Sequence, residues 1–364
     1  MNKTSYAAIF TGIDKPFELR EYPVTKPSAG TAAMSLVASG ICGTDLHIHS
    51  GRLGSTPDRI IGHEFVGKVE ALGEGDTNGL AVGDYVISDI AVPCGECLLC
   101  KTGDDANCVN MGVTNSGDPA EIPHFHGGYG RMCYAPVSNL IRIPAAVNPR
   151  TAAVFACAGP TCMHAFKLGA GAGLSLDSVN VAVVQGSGAV GCFAAMYLAA
   201  AGVPNLLLVT AGRPDDGKRA MLASLGLKQV YSLAGDGEEK ITAVVKELSG
   251  GLGADLVIEA SGGANALPFG IRLLRNRGVY LVPGQYSDRG PVAIEPHLIT
   301  FNALRIIGSS QYSFSDVYAY VDFLCEHPEL HAAIAATATD YPLEKINEAY
   351  ADLEARRTTK ALLV

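Results

Sequence analysis

The residues of this chain that carry the most chemistry lie in the stretch Gly40-Ile41-Cys42-Gly43-Thr44-Asp45-Leu46-His47. A thiol, a hydroxyl, a carboxylate and an imidazole fall within six residues. Gly40 and Gly43 loosen the backbone, so local geometry can present several of these groups to one small volume. A second cluster is a comb of thiols, Cys94-x2-Cys97-x2-Cys100-x7-Cys108, with four cysteines in fifteen positions. Short loops can fold such a comb into a tetrahedron around one Zn²⁺, with Gly95 and Gly103 supplying the turns. Four thiolates fill the coordination sphere and leave no position for a substrate, so this site reads as structural.

A third pattern is Val181-Ala182-Val183-Val184-Gln185-Gly186-Ser187-Gly188-Ala189-Val190-Gly191, a buried strand running into G-x-G-x-x-G and then a helix. Gly186 permits the tight turn, Gly188 lets the backbone approach a pyrophosphate and Gly191 lets helix pack on strand, with Ser187, Ala189 and Val190 between them. The helix N-terminus attracts the phosphates. The strand before, the helix after and a second strand at the expected distance make this a dinucleotide site. An NAD-binding site usually ends that second strand on Asp or Glu, but this chain reads Thr210-Ala211-Gly212-Arg213. Loss of the acid removes repulsion against a 2′-phosphate and Arg213 offers it a positive partner, which favours NADP(H). Asp215 and Asp216, just beyond, keep open the alternative that they reach the ribose of NAD.

These groups need elements to position them, and the sequence supplies two rhythms. Up to about residue 145, short apolar runs alternate with Pro and Gly, as in 6–10, 34–38, 60–70 and 83–87, which predicts a mainly β, barrel-like domain. After about residue 150, strands at 180–184, 206–209, 231–232, 255–259 and 279–282 alternate with helices at 188–201, 218–225 and 238–248, the signature of a parallel sheet covered by helices. A mixed segment from about 311, with helices near 316–325 and 343–353, closes on a strand at 360–364. With 364 residues, 48% hydrophobic and 17% charged, the chain has the material for two or three domains with real cores. The net charge of −9 and the lack of any basic run argue against nucleic acid or an anionic membrane as partner. Val179–Thr210 is uncharged, but Gln185, its glycines and Pro204 break it into pieces too short to span a bilayer. Met1–Tyr6 lacks the apolar segment of a signal peptide, which predicts a cytoplasmic protein whose ten cysteines stay reduced.

Cys42-Gly43-Thr44-Asp45-Leu46-His47, Gly62-His63-Glu64, the cysteine comb and the glycine fingerprint, in that order, resemble the zinc-dependent alcohol dehydrogenases of the medium-chain dehydrogenase/reductase superfamily. The resemblance runs over essentially the whole length. It implies an α/β protein with a GroES-like, mainly β catalytic domain carrying two zinc sites (1–157 and 311–364) and a Rossmann coenzyme domain with a doubly wound parallel sheet (158–310). It also implies a homodimer or homotetramer that transfers hydride between a small alcohol, or its aldehyde or ketone, and NAD(P). By this resemblance Cys42, His63 and Cys157 are the ligands of a catalytic zinc, and Glu64 is a neighbouring carboxylate able to approach it. Two thiolates and an imidazole would leave the fourth tetrahedral position for a substrate oxygen. Thr44 matches the hydroxyl that touches the substrate alcohol, His47 the end of a proton relay, and Asp45 the carboxylate that orients His63. Thr161 matches a residue near the nicotinamide, and Ala260, Val282 and Gly284 match strand ends lining the same pocket. Gly43 departs from the basic residue that some members carry beside the first ligand.

A polyol or sugar dehydrogenase of the same superfamily is the neighbouring reading. A non-enzymatic dinucleotide-binding protein would have no use for the intact ligand set. The remaining candidates have plainer readings: His49, His124 and His126 as loop residues, His164 as part of a linking helix, and Cys133, Cys162, Cys192 and Cys325 as small buried hydrophobes.

Overall fold

The computed structural model describes residues 4–285 and 287–364. Met1, Asn2 and Lys3 of the N-terminal segment discussed above lie outside the described residues. The chain divides into two units, Met1–Pro160 with Tyr312–Val364, and Thr161–Gln311. The division falls inside the helix Ala158–Gly171.

The first unit is built on a sheet ordered Ala338–Tyr341, Lys360–Leu363, Thr31–Ile41, Glu64–Leu72, Tyr85–Ser88 and Leu140–Arg142, with Met132–Pro136 also paired to Thr31–Ile41. Thr31–Ile41 is the hub, because small and apolar residues along its eleven positions bury against both neighbours. Its register sets Gly40 beside Glu64 on one side and beside Leu362 on the other. Residues from the two ends of the chain thereby meet at one point on the sheet. The core behind it includes Ile9, Phe10, Ile41, Ile61, Phe125 and Leu363. A second apolar cluster forms around Met34, Phe65, Val69 and Val86. The loop that carries the cysteine comb springs from a pair of two-residue strands, Ala91–Val92 and Gly112–Val113.

The second unit is a six-stranded parallel sheet. Its order is Gln229–Ser232, Asn205–Thr210, Val181–Gln185, Ala254–Glu259, Leu274–Val282, Arg305–Gly308. Numbered within the unit, this is 3-2-1-4-5-6, the doubly wound order that opens a ligand crevice between strands 1 and 4. Both faces are covered, so the strands read as unbroken apolar runs, and Val181–Gln185 is buried at every position. Among the described residues no helix is long and apolar enough to cross a membrane, and 179–210 resolves into strand, helix and strand.

The strands Ala338–Tyr341 and Arg305–Gly308 and the helix Ala266–Leu273 have no counterpart in the sequence reading. The two strands lie at sheet edges, where only part of each is buried and the alternating pattern is weak. Two plainer readings need correction. His49 is not in a loop: it closes the helix Gly43–His49 and stacks on Phe17 with ring centroids 5.6 Å apart. Cys325 is half-buried rather than buried, because the helix Phe314–Glu326 turns it partly outward.

Candidate active site

Gly40–His47 is more ordered than two glycines lead one to expect. The central strand ends at Ile41, Cys42 takes an extended N-cap conformation, and Gly43–His49 follows as a short helix. The cap is reciprocal: Asp45 turns back so that its Oδ2 accepts the Cys42 backbone N–H at 2.8 Å. This places the Cys42 thiol at the strand end, with Thr44 Oγ1 3.7 Å from its Sγ. His47 lies one turn further along the same helix.

Cys42, His63, Glu64 and Cys157 each bring one ligand atom to within 4.8 Å of the others. The Cys42 and Cys157 sulfurs are 3.9 Å apart. Two thiolates on one tetrahedral zinc at the usual Zn–S length stand about 3.8 Å apart, so the pair is pre-spaced for a metal and far too distant for a disulfide. His63 Nδ1 is 3.0 Å from Asp45 Oδ1, which leaves Nε2 as the ligating nitrogen. Burial pulls the His63 pKa down, but the charge and hydrogen bond of Asp45 and the Cys42 thiol outweigh it and the net shift is upward. The field of the site thus favours a cation at that nitrogen. Of the two thiols, Cys42 is the one held low, chiefly by its hydrogen bond with Cys157, and Cys157 is held correspondingly high.

Glu64 was expected beside the metal, but its partner was not foreseen. Lys360, 1% exposed at the start of the last strand, forms an ion pair with Glu64 Oε2. A Cβ at position 40 would collide with that carboxylate oxygen and with Lys360 Cε and Nζ, so Gly40 is needed for space rather than for a turn. Glu64 Oε1 has no hydrogen-bond partner and is buried among the ligand atoms, an acceptor waiting for a cation. Burial pushes the Glu64 pKa up to about 7 against the opposing pull of Lys360. Tyr312, also buried, has its phenol pKa raised by burial and then by the charges of Cys157, Asp89, Glu64 and Cys42.

The comb also closes. The four ligand sulfurs of Cys94, Cys97, Cys100 and Cys108 lie within 4.8 Å of one another, with Cys97 3.5 Å from Cys100 and 4.0 Å from Cys108. Backbone N–H groups aim at the sulfurs: Cys94 N at Cys108 Sγ, Cys97 N at Cys94 Sγ and Cys100 N at Cys97 Sγ. Such bonds pull the Cys97 pKa down to about 6, while burial and the neighbouring thiols hold Cys100 up at about 12. Both donor sets fit zinc.

In the second unit, Gly186 adopts φ +107° and a Cβ there would meet the Ala260 carbonyl at 2.7 Å. A Cβ on Gly191 would meet the Gly186 carbonyl at 2.1 Å, whereas Gly188 faces open space at the N-cap of the helix Ala189–Ala200. This is the division of labour expected of the fingerprint: turn, open approach, close helix packing. Gly284 joins the same strand ends, its N–H donating to Glu259 O at 2.9 Å, and Val282 ends its strand next to it. Thr161 opens the second unit within its helix. Two residues here carried no sequence signal. Lys218 donates from Nζ to Ser187 O at 2.8 Å, which puts an amine at the glycine loop. Glu259, fully buried, accepts from Ser261 and Gly262 N–H through Oε1 and leaves Oε2 without a partner.

Comparison with known proteins identifies the family. Residues 28–145 match the family model of the alcohol dehydrogenase GroES-like domain, and residues 189–326 match that of the zinc-binding dehydrogenases. A 5-exo-hydroxycamphor dehydrogenase of Pseudomonas putida is 32% identical over 301 residues, 80% of each chain. A sorbitol dehydrogenase of Halalkalibacterium halodurans is 28% identical over 352 residues, 95% of each. Among solved structures, an alcohol dehydrogenase from Thermotoga maritima superposes with a TM-score of 0.90 at 24% identity, covering 99% of both chains. The protein is a two-part α/β dehydrogenase. It belongs to the zinc-binding alcohol dehydrogenase family of the medium-chain dehydrogenase/reductase superfamily, whose members are NAD(P)-dependent oxidoreductases.

Proposed function

We propose that this enzyme oxidises a small alcohol, or reduces the matching aldehyde or ketone, at a zinc held by Cys42, His63 and Cys157, with a second, structural zinc in the Cys94, Cys97, Cys100 and Cys108 comb. The carrying observation is the 3.9 Å separation of the Cys42 and Cys157 sulfurs beside His63 and the unpartnered Glu64 Oε1. When bound, zinc would supply Lewis acidity toward the substrate oxygen and NAD(P) the hydride chemistry. The chain's own residues do the rest. Asp45 fixes the ring of His63, Thr44 Oγ1 takes the hydrogen bond of the substrate hydroxyl, and His47 receives its proton on the way to solvent. Lys360 balances Glu64, so that one carboxylate oxygen stays engaged while the other faces the ligand atoms.

The coenzyme preferred is NADP(H). The Thr210 hydroxyl, which stands where an acid would select NAD, is engaged with the carbonyls of Gly212 and Tyr231. Asp215 caps the helix Asp216–Ser224, its Oδ1 accepting the Lys218 N–H at 2.7 Å, so one of its two carboxylate oxygens serves the helix start. Arg213 is exposed beside Gly235 and open to a 2′-phosphate. Thr161, Ala260, Val282 and Gly284 contribute to the nicotinamide end. A polyol substrate is the second reading, favoured by the similarity to a sorbitol dehydrogenase over 95% of the chain. Ten unbridged cysteines suit a reducing, cytoplasmic setting, and the assembly expected is a homodimer or homotetramer. A screen of primary, secondary and cyclic alcohols and polyols against NAD and NADP, read by absorbance of the reduced nicotinamide, tests this. Turnover with no alcohol or carbonyl of any class would overturn it.

A further inference from the structure

Asp45 is itself held in place. It is fully buried and accepts three hydrogen bonds: His63 Nδ1 on Oδ1 at 3.0 Å, and on Oδ2 the Cys42 N–H at 2.8 Å and the Tyr129 hydroxyl at 2.6 Å. The Tyr129 oxygen lies 3.1 Å from that of Tyr350. A hydroxyl has one proton, and Tyr129 gives its own to Asp45, so Tyr350 is the donor between the two tyrosines. A directed chain therefore runs from Tyr350, on the helix Ile346–Glu354, through Tyr129 and Asp45 to His63, and every member is buried.

The packing is specific to this arrangement. The Tyr129 ring lies against the backbone of Gly62, where any Cβ would come within 2.3 Å of it, and Gly62 immediately precedes His63. The Gly128 N–H donates to Gly62 O at 2.8 Å. The same ring meets Phe17 edge-on, with centroids 5.9 Å apart and planes at 83°. Tyr129 thus touches the metal centre twice, through the backbone that carries His63 and through the carboxylate that orients its ring. Removing the phenol oxygen would leave Asp45 Oδ2 one donor short at a fully buried position, a state the carboxylate relieves by turning away from His63.

We infer that Tyr129 is a positioning residue of the metal centre, acting through Asp45 and backed by Tyr350, and that its hydroxyl sets how tightly His63 is held for the ion. This rests on the three-ligand zinc reading above. Loss of a group that orients a metal-binding histidine costs about 10- to 100-fold in metal affinity, and Tyr129, one bond further out, should cost about 3- to 10-fold.

The test is zinc release from the purified holoenzyme to a chromophoric chelator, with total zinc counted by mass spectrometry. One ion for each cluster gives two per chain, and the release phase missing from Cys42→Ser belongs to the Cys42 centre. In Tyr129→Phe, which keeps the ring against Gly62, that phase should weaken by the stated factor while the comb's phase is unchanged. Tyr350→Phe should give a smaller shift of the same phase. In an Asp45→Asn background, adding Tyr129→Phe should change nothing further. An unaltered phase in Tyr129→Phe, or the same loss with Asp45 already replaced, would overturn the inference. A merely structural role would instead shift both phases and persist in the Asp45→Asn background. A wild-type enzyme whose zinc is wholly retained in Cys42→Ser would overturn the three-ligand reading and take this inference with it.

Discussion

The two cysteine clusters gather metal-binding groups by opposite means. The comb draws four ligands from fifteen residues, and the backbone N–H groups of its own tight turns steady the thiolates. The Cys42 centre draws its ligands from three separate places in the chain and steadies them with side chains: Asp45 on His63, and Lys360 on Glu64 from 296 residues away. The comb is a local device that any short loop could carry. The Cys42 centre exists only if the sheet register is right, because Gly40, Glu64 and Leu362 must fall side by side for Lys360 to reach Glu64. A closed ligand set needs only to hold, while a set with a spare carboxylate and an open position has to be balanced.

That contrast is broken most directly at Cys42. Cys42→Ser should lower kcat/KM by on the order of 10³-fold or more, since the group lost supports several kcal/mol of transition-state stabilisation. Binding of the reduced coenzyme, followed by fluorescence, should be retained. Full turnover after this change would dissolve the distinction between the two clusters.

Lys360→Met comes next. It strands the buried Glu64 charge, and breaking a buried pair by removing one partner costs about 3–5 kcal/mol, visible as a lower melting temperature. Lys360→Met combined with Glu64→Leu should recover most of that stability without recovering turnover. A double variant as unstable as Lys360→Met alone would mean that Lys360 acts elsewhere.

The comb should respond in the reverse sense. Cys97→Ser should remove one zinc per chain and speed proteolysis within 94–108, because four ligands on one ion would cross-link that loop. The activity remaining per intact Cys42 centre should stay within a few-fold of wild type. A total loss of activity with both zinc ions still bound would show that the comb is not merely a closure.

The comb was legible because its spacing is local, and the glycine fingerprint because strand, turn and helix are contiguous. Two rhythms in the apolar pattern were enough for a β part followed by a parallel α/β part. Cys157 had no signal of its own among ten cysteines and entered only through the family resemblance. Lys360, Tyr129 and Tyr350 were out of reach for a physical reason: their roles come from strand pairing and ring packing that join residues 84 to 296 positions apart. Read alone, Lys360 is a surface lysine at a strand end, and Tyr129 is one aromatic in a Gly-rich turn. Gly40 and Gly62 did stand in the sequence, but their reason, room for Lys360 and for Tyr129, is visible only in three dimensions.

The last expected effect lies at the root of the comb. Asp89 sits between the strand Tyr85–Ser88 and the pair of short strands at the root of the comb. Its Oδ1 accepts the Ala91 N–H at 3.0 Å, and the Asn139 amide donates to the Ala91 carbonyl at 2.8 Å. Its Oδ2 is buried without a partner, and burial raises its pKa to about 7. A carboxyl whose folded-state pKa is raised binds more protons in the folded than in the unfolded chain. Its favourable contribution is therefore present at low pH and is lost as pH climbs from about 4 through about 7. Between pH 5 and pH 8 the folded state should lose about 2–3 kcal/mol from this group alone. Asp89→Asn cannot ionise, so its stability relative to wild type should rise by that amount over the same interval, as measured by urea denaturation at the two pH values. A pH-independent difference between the two proteins would place a cation or an ordered partner on Asp89 Oδ2, and the root of the comb would then be tied down by charge, as the Cys42 centre is.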